Sequence, residues 1–315
     1  MGVPIPALKA FVGMHIVNSR HCQQLCVDAY GFNLSTVTGV KGGDIQHNHN
    51  SVASTVSLAL TSAGIHHKGG ATDQTCKKIF QSAIPREAAN ESDETPTNKD
   101  IKSIVPDMVI YTKELLTNTE LCGANHIIDF KTLSARQTFY MNGSTTQGAA
   151  VEKRQGEVNQ EYANTAKKLD IRLHGTSANT APGPFSKVLL AYGNENNRVL
   201  GPTLGFFGEA SSDLNKLRDV VCAEQAKRHV TFYRCELEQA TGLHRHMLNH
   251  KWGHTIKRGW AKVILSRLRD HVGPNASQGE DRGDRRNVDR DDMRDGYGYY
   301  NPAHGRGVHG VGPAG

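Results

Sequence analysis

The chain has 315 residues, a formal net charge of +6, and 37% hydrophobic against 22% charged residues. That allows one large or two small cored domains and excludes a wholly disordered protein. Its six unevenly spaced cysteines do not form a secreted disulfide framework, no run is long and apolar enough to span a membrane, and the N-terminus lacks a signal peptide's basic start and long apolar core, so the expectation is an intracellular protein without a membrane partner, nuclear if eukaryotic.

Residues 1–45 read as an N-terminal segment. His15, His21, Cys22, Cys26 and His47 are of metal-ligand type, and Cys22-x3-Cys26 is a permitted zinc spacing. No second Cys/His pair completes a quartet, so a structural zinc ion is not expected. After the glycines of "GVKGGDIQHNHN", Val52, Val56, Ala59, Leu60 and Ala63 recur at helical spacing, and Gly64 marks a stop. "PREAANESDETPTNKDIKS" (85–103) reads as a polar surface loop. Ile104–Tyr111 and His126–Leu133 read as strands. A helix is predicted between Glu152 and Leu169, with Arg154, Val158, Tyr162 and Ala166 four residues apart. "KVLLAYG" and "LGPTLGFFG" read as short strands, and Ser211, Ser212 and Asp213 as the N-terminal caps of a further helix.

Trp252, Ile256, Trp260, Val263, Ile264 and Leu268 then form one apolar helical stripe, with basic residues on the other faces. Between His244 and His271 the cations are Arg245, Lys251, Lys257, Arg258, Lys262, Arg267 and Arg269, against the single acid Asp270. Such a local field attracts a polyanion, nucleic acid first among them, although charge alone is equally compatible with a solvated helix face. The two tryptophans are expected to anchor the helix rather than to stack bases. The Gly-, Arg- and Asp-rich end of the chain buries too little apolar surface to offset ordering entropy and is expected to be a disordered tail. The domains expected are therefore residues 1–45, a core over 46–232, a basic helical extension over 233–272 and a tail over 273–315. The predicted class is α/β, a mixed sheet flanked by helices, with a helical C-terminal extension.

Two strand-like segments carry charges where a sheet prefers Val or Ile. Alternation puts Asp129 and Lys131 on one face with Ile127 and Leu133, and a hairpin-like connection would bring Asp107 beside Asp129. Burying two carboxylates and a lysine is costly unless they bind something. A divalent cation held by Asp107 and Asp129, its shell completed by a substrate phosphate, meets that need, and Lys131 can stabilise charge developing on phosphorus.

Pro106-Asp107 followed by Asp129-Phe130-Lys131 resembles the motif of the PD-(D/E)XK, restriction-endonuclease-like nucleases, as does the order α-β-β-β-α-β around it. The resemblance implies a metal-dependent endonuclease with Asp107, Asp129 and Lys131 catalytic, Asp107 and Asp129 holding Mg²⁺ or Mn²⁺, and DNA as the nucleic-acid partner. In several branches the helix after the lysine strand carries Gln-x-x-x-Tyr. Here only Tyr162 carries over, Val158 standing four residues before it, with Arg154 one turn further back as a supporting residue. The first helix, which in many members supplies an additional acid, offers His47, His49 and Asn50 instead. "GGDIQHNHNSV", "EYANTAKKLD" and "GPTLGFFGEASSDLNKL" are similar to endonuclease-like domains of eukaryotic retroelements and algal or protist mobile elements, in whose relatives a Cys/His knuckle precedes the "GG…HN" segment. The basic helix implies nucleic-acid contacts at Arg245, Lys251, Lys257, Arg258 and Lys262. The rival reading is a non-catalytic nucleic-acid-binding protein on the same fold. No Gly-x-Ser-x-Gly elbow supports a serine hydrolase.

Overall fold

The computed structural model describes residues 4–16, 25–36, 43–69, 75–85, 96–115, 119–135, 148–176, 181–193 and 198–272. The C-terminal tail lies outside them. The helices are α1 (Phe32–Thr36), α2 (Gly43–Ala63), α3 (Pro96–Ser103), α4 (Ala149–His174), α5 (Pro184–Leu190), α6 (Ser212–Tyr233) and α7 (Leu237–His271). The strands are β1 (His67–Gly69), β2 (Met108–Tyr111), β3 (Asn125–Ile128), β4 (Lys131–Thr132), β5 (Val199–Leu200) and β6 (Thr203–Leu204). Among the described residues no helix is long and apolar enough to cross a membrane.

A mixed four-stranded sheet runs in the order β1-β2-β3-β5, antiparallel except for the parallel pair β3–β5. Its two faces are covered by different helices because neighbouring residues on a strand point oppositely. Met108, Ile110 and Ile128 pack with α2, α6 and α7, whereas Val109, Ile127 and Val199 pack with Val158, Tyr162, Ala166 and Leu169 of α4 and with Phe185 and Leu189 of α5. Leu248, Trp252, Ile256, Trp260 and Val263 of α7 enter the same core as Val52, Val56 and Leu60 of α2. The tryptophans are thus buried anchors. The N-terminal residues Leu8, Ile16, Val27 and Leu34 close over the last turns of α7 at Ile264, Leu268 and Val272.

Several sequence expectations change in detail. "KVLLAYG" is not a strand but most of α5 and the turn after it: Pro184 opens that helix, and Asp170 of α4 accepts from the amides of Phe185 (2.8 Å) and Ser186 (3.0 Å). Only Phe185 and Leu189, four residues apart, need burial there. The polar loop over 85–103 contains α3, whose Asp100 is paired with Lys168 and Arg172 of α4. The strand expected from Ile104 begins at Met108, after Pro106, which has no amide to donate to a ladder. The strand expected over His126–Leu133 is broken into β3 and β4 at Asp129-Phe130. Pairing nonetheless continues along the break, with Asp129 N to Leu200 O (3.0 Å), Lys131 N to Pro202 O (3.0 Å) and Leu133 N to Leu204 O (2.9 Å).

Candidate functional site

Asp107 stands immediately before β2, and Asp129 and Lys131 flank Phe130 at the break between β3 and β4. The antiparallel register sets Met108 against Ile128, so the residues that precede the one and follow the other come together at one end of the pair. Asp107 Oδ2 accepts from the Phe130 amide at 2.8 Å. The Asp107 and Asp129 carboxyls are close enough for each to shift the other's ionisation, and Lys131 Nζ lies 2.6 Å from Asp129 Oδ2. The three residues singled out in the sequence therefore converge. β1 closes over the same corner: a Cβ on Gly69, whose φ is +98°, would lie 2.4 Å from Asp107 O, so only glycine lets the chain pass there.

A fourth residue joins them that strand alternation does not reveal. His49 of α2 places Nε2 3.1 Å from Asp107 Oδ2 and 3.0 Å from Phe130 O, while Nδ1 faces Asn50 Oδ1 at 3.3 Å. All three partners are acceptors, so both ring nitrogens serve as donors and the geometry suits the imidazolium. Burial alone would lower the His49 pKa, but the hydrogen bond and charge of Asp107 outweigh it and the net shift is upward. The only sequence signal for His49 is its place in the predicted first helix, between His47 and Asn50.

The two carboxylates are driven apart electrostatically. Burial would raise Asp107, yet the His49 hydrogen bond and charge hold it below the usual carboxylate value. Burial raises Asp129, whose side chain is only 12% exposed, and the neighbouring Asp107 charge adds to this against the opposing pull of Lys131, so its pKa reaches about 7. At mildly acidic pH the pair thus holds one proton, on Asp129, which it releases around neutrality. Tyr162 of α4 is buried within reach of the charges of both carboxylates. Its hydroxyl is buried without a hydrogen-bond partner, and burial followed by the charges of Asp129 and Asp107 pushes its pKa well up.

Other sequence-predicted residues separate from this cluster. The Arg154 guanidinium is taken up by Glu161 (2.6 Å) and Glu157 (2.9 Å) on its own helix instead of supporting the carboxylates. Arg245 is paired at 3.2 Å with Asp219 of α6, whereas Lys251, Lys257, Arg258 and Lys262 are exposed along α7. In the N-terminal segment, His15 and Cys26 face each other across an isolated bridge with Nδ1 and Sγ 3.6 Å apart; His21 and Cys22 lie outside the described residues.

The donor set fits a hard divalent cation. Two carboxylates close enough to shift each other's ionisation can also share one ion at about 2.0–2.6 Å per oxygen. Among the described residues no group of three or more His, Cys, Asp or Glu is arranged to enclose a metal, since His49, the third such residue here, uses Nε2 as a donor. Water and a substrate oxygen would complete the shell, as magnesium sites commonly require. No protein-family model, curated protein or solved structure matches the chain.

Proposed function

We propose that the protein is a metal-dependent nuclease of the PD-(D/E)XK, restriction-endonuclease-like type that hydrolyses phosphodiester bonds in DNA. The observation that carries this reading is the convergence of half-buried Asp107 with buried Asp129, from separate segments, with Lys131 2.6 Å from Asp129. A fold gains nothing in stability from setting one carboxyl against another that is buried, whereas a cation site needs both. The run α2, β1, β2, β3, α4, β5, interrupted by α3, by the short β4 and by α5, supports the same fold type.

Asp107 and Asp129 would hold Mg²⁺ or Mn²⁺, which when bound polarises a phosphate oxygen and lowers the pKa of an attacking water. The remaining work falls to the chain's own groups. The Lys131 ammonium faces the charge that grows on the phosphoryl oxygens, an interaction strongest in the transition state. His49 fixes Asp107 and the Phe130 carbonyl in one orientation from α2. The exposed Lys257, Arg258 and Lys262 attract the phosphate backbone. Gly259, between them, packs on Asn48, the neighbour of His49, so this stripe lies at the site end of α2.

The test is nicking of supercoiled plasmid with Mg²⁺ or Mn²⁺, by the parent and by Asp129→Ala. Cleavage by the parent and none by the variant is the expected result. A parent that binds DNA but never cuts it overturns the enzyme reading and leaves a nucleic-acid-binding protein.

A further inference from the structure

A chain of aromatic rings stands beside the proposed nuclease site and has no part in it. Tyr30 stacks on Phe32 (centroids 5.2 Å apart), and Phe32 meets Phe206 (5.8 Å) and Phe207 (5.6 Å) edge to face. Phe206 and Phe207 are 5.3 Å apart, and Phe206 also rests 5.3 Å from Trp260 of α7. The innermost member is covered, Trp260 being only 3% exposed, and Phe32 and Phe206 are half-buried. The outer members are open to solvent: Phe207 is 47% and Tyr30 36% exposed.

Phe206 and Phe207 form the tip of the turn Gly205–Gly208, closed by the Gly208 amide on Gly205 O. That turn directly follows β6, whose Thr203 is paired in register with Lys131. At about 3.3 Å per residue as an upper bound, since the strand ends at Leu204, Phe206 and Phe207 stand no more than about 10 and 13 Å along the chain direction from the lysine. On the other side, Trp260 carries the platform onto α7, where exposed Lys257, three residues back, lies on the adjoining flank, while Arg258 and Lys262, two residues away, lie on the opposite face. The acids nearby are engaged by backbone amides. Glu209 accepts from the Phe207 amide, and Asp28 accepts from those of Tyr30, Phe32 and Asn33.

An exposed aromatic surface with a cation, Lys257, on its flank matches the two faces of an unpaired nucleotide, a flat base and an anionic phosphate. In a continuous duplex the base faces are already stacked on one another and unavailable. We infer that Phe207 and Tyr30 form a stacking platform for unpaired bases, so that the nuclease site proposed above, on which this inference rests, takes single-stranded or frayed nucleic acid in preference to continuous duplex.

The test uses the full chain in EDTA, with fluorescence anisotropy of a labelled oligodeoxythymidine of about 12 nucleotides and of a blunt duplex of equal length. Tighter binding of the single strand is expected. Phe207→Ala should weaken it by roughly 5- to 150-fold, the range for losing one base–aromatic stack, while changing duplex binding less than about two-fold. Phe207→Trp should restore the preference, which a general loss of folding could not. Equal loss on both ligands, or no loss on either, overturns the inference. So does a Phe207→Ala variant whose only change is from dimer to monomer on gel filtration, because the rings would then serve self-association. These measurements involve no cleavage, so a failed plasmid assay and a failed strand preference are separate outcomes.

Discussion

Replacing Asp129 by asparagine should stabilise the metal-free protein, and by an amount that depends on pH. Asp129 ionises near 3.8 in an unfolded chain and at about 7 in the folded one, chiefly because of burial. Between those values the native state keeps a proton that the unfolded state has released, so this group's contribution to stability falls as pH rises from 4 to 7 and stays at its lower level above that. A difference of about three units corresponds to about 4 kcal/mol. Asparagine removes that penalty, in which the opposing pull of Lys131 at 2.6 Å is already contained. At pH 8 Asp129→Asn should therefore be more stable than the parent by about 4 kcal/mol, and at pH 5, where only the first unit or so of the difference has been felt, by about 1.5 kcal/mol. Urea unfolding followed by circular dichroism at both pH values measures this directly, and changes common to parent and variant cancel. A gain of equal size at both pH values, or a variant less stable at pH 8, would refute the account of the buried pair.

Lys131→Ala should lower cleavage by about 10²-fold or more and leave DNA affinity within a few-fold, read from single-turnover rates and filter binding, because its charge acts mainly in the transition state. Charge reversal at Lys257, Arg258 and Lys262 should flatten the dependence of duplex-DNA binding on salt concentration; an unchanged slope would detach α7 from phosphate contact. Gly259→Ala should destabilise the protein by about 1–3 kcal/mol in thermal unfolding, since the new Cβ would lie 1.8 Å from Oδ1 of the fully buried Asn48.

What was legible in the sequence was whatever local periodicity encodes. Asp107, Asp129 and Lys131 were found because a strand's two-residue repeat fixes which side chains share a face, and the apolar stripe of α7 because 3.6-residue spacing survives over many turns. The misread elements depend on distant partners. "KVLLAYG" is apolar and short, and such a run does not distinguish a strand from a buried helix. Its state is decided by the carboxylate of Asp170, which caps the helix from another element. Arg245 looks identical to Lys257 in sequence, but Asp219, on the neighbouring helix, takes up its charge. His49 was visible as a residue and not as a participant, since only the packing of α2 across the sheet end brings it to Asp107 and to Phe130 O.

The break that separates β3 from β4 also explains how charged residues survive inside this sheet. Had His126–Leu133 remained one regular strand, a carboxyl at Asp129 would have faced a packed layer of side chains, where an unpaired charge costs several kcal/mol. At the break the ladder continues onto Leu200, Pro202 and Leu204, so the backbone stays satisfied while the local geometry changes. Phe130 keeps its side chain in the core and directs its amide to Asp107 and its carbonyl to His49. One residue of the interruption thereby anchors two side chains, His49 from α2 and Asp107 from the start of β2. The strain that remains is concentrated in the protonation of Asp129, the group whose proton a bound cation would replace.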